Sequence, residues 1–137
     1  MKRELSSKPA GHSAVGQEMA EFAIALTLLL MVVFGVLDLG QAFHAAITIA
    51  NAAREGARAG VRYDWSKPDG YAAVESAALL EAQDAGLDPA RMQVFSNCGA
   101  CASGASLVVT VTYDCDLIIG LFLADFTLQR TATMMIP

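Results

Sequence analysis

Charge is scarce in this chain and histidine scarcer: 17% of the 137 residues are charged, and the two histidines, His12 and His44, lie far apart. Two isolated histidines supply neither a metal-ligand set nor a Ser/His/Asp or Cys/His relay, and no pair of carboxylates stands at a catalytic spacing. No glycine loop of the phosphate-cradling kind follows a strand pattern. The expectation is a protein that is not an enzyme, with no cofactor and no metal. Basic residues are also too few for a nucleic-acid partner. The net charge is -5, and phosphate binding needs a basic face.

Apolar residues make up 55% of the chain, more than a small soluble domain buries, and the excess is concentrated. Phe22 to Leu37 carries no charge, and after Asp38 the run stays uncharged as far as Arg54. A hydrocarbon core about 30 Å thick needs roughly 20 apolar residues in a helix. Residues 22–40 therefore read as a membrane-spanning helix with lipid as a partner and Asp38 at the far headgroup interface. A core helix of a soluble domain is opposed by the small size of the remainder. A cleaved secretory signal, with Lys2, Arg3 and Lys8 as its basic region, is opposed by a long leader and by the lack of a small-x-small cleavage site. Loop charge does not decide orientation, because Arg54, Arg58 and Arg62 on one side match the leader's cations on the other. An amino terminus in the cytoplasm is the expectation.

At the mouth of the apolar run stands Gly16-Gln17-Glu18-Met19-Ala20-Glu21-Phe22. A carboxylate at the edge of lipid is costly, so Glu21 is either functional or held at the interface by the positive end of the helix. The segment resembles a type IV prepilin processing site, glycine followed by four residues, a glutamate and an aromatic. That resemblance implies a prepilin peptidase as partner, cutting after Gly16 to leave Gln17 as the mature terminus. It also implies that Glu21 neutralises the terminal ammonium of a neighbouring subunit. The E-F-A opening at Glu21-Phe22-Ala23 and the later Asn51-Ala52-Ala53-Arg54-Glu55-Gly56-Ala57-Arg58 look like the TadE-like pilus-assembly family of tight-adherence (Flp) pili. This implies a minor pilin-like subunit in the bacterial inner membrane, with other pilin-like subunits and pilus-assembly proteins as partners. Family members often carry a proline shortly after the glutamate. This chain reads Leu26-Thr27-Leu28, so no proline kink is expected.

Beyond Asp38, the residues Ala42, Ala46, Ala50, Ala53, Ala57 and Gly60 recur at steps of three or four and share one helical face. That face, with the Gly56-x-x-x-Gly60 spacing, receives either the protein's own sheet or a helix of another subunit in an assembly. Arg54, Arg58 and Arg62 form a separate stripe, with Glu55 placed to pair with Arg58. Glu21, Asp38, Arg54, Glu55, Gly56, Arg58 and Gly60 are the candidate residues for assembly and helix packing. His44 has no ligand set beside it.

After the turn formers from Asp64 to Gly70, a second helix is expected from about Tyr71 to Ala85, capped by Asp69 or Gly70 and stopped by Gly86. Met92–Asn97, Leu107–Cys115 and Phe126–Met135 alternate as strands. The expected fold is α+β and pilin-like: a long helix packed at its outer half on a second helix and a small antiparallel sheet of about three strands. The expected organisation is a cytoplasmic leader over 1–16, a long helix over 17–63 and an extracytoplasmic head over 64–137. Leu117 to Ala124 is almost wholly apolar and reads as core or as a contact surface.

Cys98-Gly99-Ala100-Cys101 admits a zinc site, a redox centre or a structural disulfide. Zinc lacks a second ligand pair, and a redox centre lacks the strand-to-helix setting. If the flanking strands form a hairpin, Cys115 lies roughly 30 Å from the turn at 3.3 Å per residue, which favours a Cys98–Cys101 bond with Cys115 buried and free. Cys101–Cys115 is the other pairing. Two rival functions stand beside the pilin-like one, an uncleaved membrane scaffold for secretion or pilus components and an extracytoplasmic thiol oxidoreductase.

Overall fold

The structure, a computed structural model, describes residues 12–116 and 126–137, with side chains from residue 16 onward. Most of the expected leader, with Lys2, Arg3 and Lys8, and the apolar run from Leu117 to Ala124 lie outside the described residues. One helix, α1 (His12–Arg62), spans 51 residues, about 77 Å at 1.5 Å per residue. Nothing in its sequence interrupts it: no proline occurs between His12 and Arg62. Where the family resemblance suggested a proline, the Thr27 hydroxyl donates to the Ala23 carbonyl at 2.8 Å. A hydroxyl turned back on its own helix leaves no unsatisfied polar group on an apolar surface.

The second helix, α2 (Gly70–Asp84), is followed by strands β1 (Met92–Asn97), β2 (Ser106–Cys115) and β3 (Phe126–Met135). The strands form one antiparallel sheet in the order β1-β2-β3. Its register pairs Val94 with Val111 and Val109 with Ala132. The fold is thus the expected α+β arrangement, with both helices on one face of the sheet. Asp69 precedes α2 but makes no side-chain capping bond; its carbonyl instead accepts from Ala73 N–H at 3.0 Å. Gly86 ends α2 at φ +84°, and Leu87 N–H donates back to the Ala82 carbonyl at 3.0 Å. Glycine takes that left-handed conformation without a Cβ penalty.

The core follows the two periodicities. On β2, Leu107, Val109, Val111, Tyr113 and Cys115 all face inward and are buried, whereas the alternate residues are not. On α1 the buried stripe is Ala45, Ile49, Ala52, Ala53, Gly56, Ala57 and Gly60. From Ala45 outward the small-residue face therefore receives the protein's own second helix and sheet. Ala42, Ala46 and Ala50 sit at its margin, half-buried. Each fully buried Ile49, Leu107, Val74, Val109 or Val111 removes apolar surface worth about 1.5–3 kcal/mol.

Gly56 and Gly60 set how closely the layers approach. A Cβ on Gly56 would stand 3.1 Å from the Val74 carbonyl oxygen and 3.2 Å from Ala78 Cβ. One on Gly60 would overlap Leu107 and lie 2.7 Å from Val74 Cγ2. The G-x-x-x-G spacing is a close-packing device here, as it is in lipid. Trp65 closes the outer end, its Nε1–H donating to the Gly60 carbonyl at 2.8 Å. That carbonyl belongs to the last turn of α1 and also accepts from Tyr63 N–H at 3.2 Å, so the indole adds a second donor where i+4 helical partners run out.

Gly60→Ala is expected to destabilise the head by about 1 kcal/mol net, overpacking of about 1–3 kcal/mol outweighing roughly 1 kcal/mol of helix propensity. Gly40, with no atom within 4 Å of its would-be Cβ, is the control, and Gly40→Ala should not lower stability. Urea unfolding of the full chain in detergent, followed by Trp65 fluorescence, reads both.

Candidate functional site

The apolar part of α1 projects from the head with its side chains uncovered. From Phe22 to Leu37 nearly every residue is exposed. Gly16–Arg62 contains an 18-residue window of mean hydropathy 2.6, of which 6% is buried. A helix with an apolar surface all round and nothing packed on it is a candidate membrane span.

At its start Gly16 lies inside α1, not in an extended segment, and no atom of the described residues comes within 4 Å of its would-be Cβ. Packing gives no reason for a glycine at this position. Gln17 Nε2 donates to Glu21 Oε1 at 2.9 Å, one turn along. Phe22 is exposed beside them.

Asp38 stands at the other end of the apolar run. It is 6% exposed, because it stands seven residues before Ala45 and eleven before Ile49, in line with the buried stripe. With Arg91, Asp116, His44, Tyr113 and Cys115 it lines a pocket of about 550 Å³ where α1 leaves the head. Arg91 and Asp116 form an ion pair across this region. The sequence offered only Asp38 here. Arg91 precedes β1 and Asp116 follows β2, and the antiparallel pairing of the two strands, Met92 opposite Tyr113, brings both to the same end of the sheet, a long-range pairing that no local motif announces.

The remaining expected residues divide. Gly56 and Gly60 are buried between the layers, whereas Arg54, Arg58 and Arg62 are exposed on the opposite side of α1. Arg58 reaches Glu55 at 3.9 Å, and Arg54 reaches the Asn51 side-chain oxygen at 3.5 Å. Both contacts are long and exposed, and such pairs contribute little.

Cys98 and Cys101 form a disulfide with their Cα atoms 4.8 Å apart. Gly99 at φ +57° and Cys101 at φ +46° turn the loop; the second is uncommon for a residue with a Cβ and is held by the bond. Tyr71 OH lies 3.2 Å from Cys98 Sγ and 3.4 Å from Cys101 Sγ. Bonded sulfurs carry no hydrogen, so the tyrosine hydroxyl is the donor. Tyr71 also meets Trp65 edge-on at 5.3 Å between ring centroids, which ties the disulfide loop to the end of α1. Sequence reasoning missed this role of Tyr71, and only the aromatic cluster of Tyr63, Trp65 and Tyr71 hinted at it. Cys115 is free and buried. Burial pushes its thiol pKa up, the neighbouring Asp114 carboxylate adds to the rise, and Arg91 opposes it. A thiol so placed is a poor nucleophile. Among the described residues no group of three or more His, Cys, Asp or Glu side chains could hold a metal ion.

Residues 16–58 match the family model of the TadE-like proteins. The match begins at Gly16 and ends at Arg58, so it covers the apolar run and the buried helical stripe as far as Ala57, and agrees with the resemblance read from the E-F-A and N-A-A-R-E-G-A-R segments. No curated protein and no solved structure matches the chain.

Without reductant, native protein should resist iodoacetamide at all three cysteines. Intact mass is expected to show one alkylation after denaturation and three after denaturation with reduction. Rapid native labelling would mean that Cys115 is not sealed in the core.

Proposed function

We propose that the chain is a minor pilin-like component of a tight-adherence pilus. It is anchored in the bacterial cytoplasmic membrane by α1, with its amino terminus in the cytoplasm and residues 64–137 outside, and is cut after Gly16 by a prepilin peptidase. The observation that carries this reading is the TadE-like match that opens on Gly16, at the head of an uncovered apolar helix. Three features support it physically. A glycine with nothing packed against it costs a helix about 1 kcal/mol relative to alanine, and a protease that must draw the chain into an extended form gives that cost a purpose. Scission would put a new ammonium on Gln17, one turn from the Glu21 carboxylate that the Gln17 side chain already reaches. That ammonium, or one from a neighbouring subunit, would let Glu21 enter the lipid paired. The Cys98–Cys101 disulfide suits an oxidising compartment outside the cytoplasm.

The assembly partners are other pilin-like subunits and pilus-assembly proteins, engaged through the exposed faces of α1. In cells that contain the peptidase, intact-protein mass spectrometry should find a chain beginning at Gln17. Gly16→Val should retain the leader, while Glu21→Ala should still be cut but fail to appear in sheared pili. An intact leader on the native sequence in those cells would refute the processing step, and the uncleaved scaffold would take its place.

A further inference from the structure

The apolar surface of α1 is cut obliquely at both ends. Residues 18 apart lie five turns apart and so share one azimuth on a helix of 3.6 residues per turn. Glu21 thus shares its face with Leu39, and Ala20 shares its face with Asp38. Where the inner end carries an acid, the outer end stays apolar; where the inner end is apolar, the outer end carries the acid. Above Asp38 the asymmetry continues. Leu39, Phe43 and Ile47 are 71%, 68% and 49% exposed and follow one another at four-residue steps on one flank. Gln41 and His44, at the same height, are exposed on the other. Along the apolar flank the surface runs from Phe22 to Ile47, about 38 Å, some 8 Å more than the hydrocarbon core is thick. An upright helix would leave Phe43 and Ile47 in water. A tilt of roughly 40°, at the upper end of the range for single spans, takes up the excess and shifts both boundaries in the same sense.

Next along that flank come Arg54 and Arg58, exposed and, among the described residues, held only by the long contacts to Asn51 and Glu55. Apolar residues followed by cations is the order in which a helix passes through the lipid interface. We propose that α1 crosses the bilayer aslant, leaning onto the Leu39-Phe43-Ile47 flank, so that Arg54 and Arg58 lie over the phospholipid phosphates of the outer leaflet. The head then rides on the upper side of the helix, away from the lipid. The apolar stripe is continuous with the span's own lipid-facing surface, and the cations complement the phosphates. A partner helix would account for the stripe but not for the matching slant at Glu21. The inference rests on α1 being the membrane anchor.

The test uses the full chain in a Cys115→Ala background, reconstituted in bilayers containing anionic phospholipid. Spin labels are placed singly through Val32→Cys, Gln41→Cys, Phe43→Cys, His44→Cys and Ile47→Cys. Accessibility to oxygen, relative to a water-soluble nickel chelate, should be severalfold higher at 43 and 47 than at 41 and 44. The double change Arg54→Glu with Arg58→Glu should bring position 47 down toward position 44. Equal, water-like values at all four positions with Val32 in lipid would overturn the slant while leaving the anchor intact. Shielding of 43 and 47 from both reagents, growing with protein-to-lipid ratio, would overturn it in favour of a second copy. A water-accessible Val32 would remove the anchor itself, and the slant with it.

Discussion

The close approach of α1 to α2 and β2 at Gly56 and Gly60 is the contact on which the head depends. At these two positions a hydrogen takes the place of a side chain, and the space is filled by Val74, Ala78, Leu107 and Val109. Bring the layers apart by one methyl group and the fully buried residues on both sides lose contacts that a dense interior cannot recover elsewhere. The alanines at 45, 52, 53 and 57 extend the same economy along the helix. Trp65 then seals the outer end by donating to the Gly60 carbonyl in the last turn of α1 and standing over Gly70.

That contact makes α1 a single rod with two environments. Its outer half is one wall of the head's core, and its inner part is an uncovered apolar surface. Because the helix is continuous, its position in a membrane and the attitude of the head are mechanically one variable: any tilt of the span is a tilt of the sheet. Asp38 stands where the environments meet, turned toward the head beside the Arg91–Asp116 pair. A carboxylate on that side is near polar company, and the opposite flank is left apolar. The pilin-like function proposed for the chain draws on this division, since an assembling subunit needs a head that keeps its shape while its apolar helix exchanges lipid for neighbouring helices.

Much of the fold was legible in advance, and for identifiable reasons. The strand from Leu107 to Cys115 alternates without exception, and Gly86 has the place and the conformational freedom to end α2. The two glycines at a four-residue spacing announced close packing but not its partner. That choice depended on whether the sheet would cover α1, and sheet pairing brings together residues distant in the chain. The small-residue face was read one step off, at Ala42, Ala46 and Ala50, because alanine alone does not say which of two adjacent stripes is buried. Ile49, an isoleucine among alanines, marks the true centre. Of the candidate site, the residues around Gly16 and Glu21 were proposed from a local motif. The company of Asp38 and the tyrosine beside the disulfide could not.

The sequence by itself determined the long uncharged helix, the carboxylate at its mouth, the alternation of the strands and the TadE-like segment. All of these are set by periodicity and composition within a few turns of chain. Only the tertiary structure decided that the glycine pair meets the protein's own second helix and sheet, that Asp38 turns inward into the pocket it shares with Arg91 and Asp116, and that Tyr71 reaches the disulfide. Those outcomes follow from which surfaces exclude water together, and that is a property of the packed layers, not of any one segment.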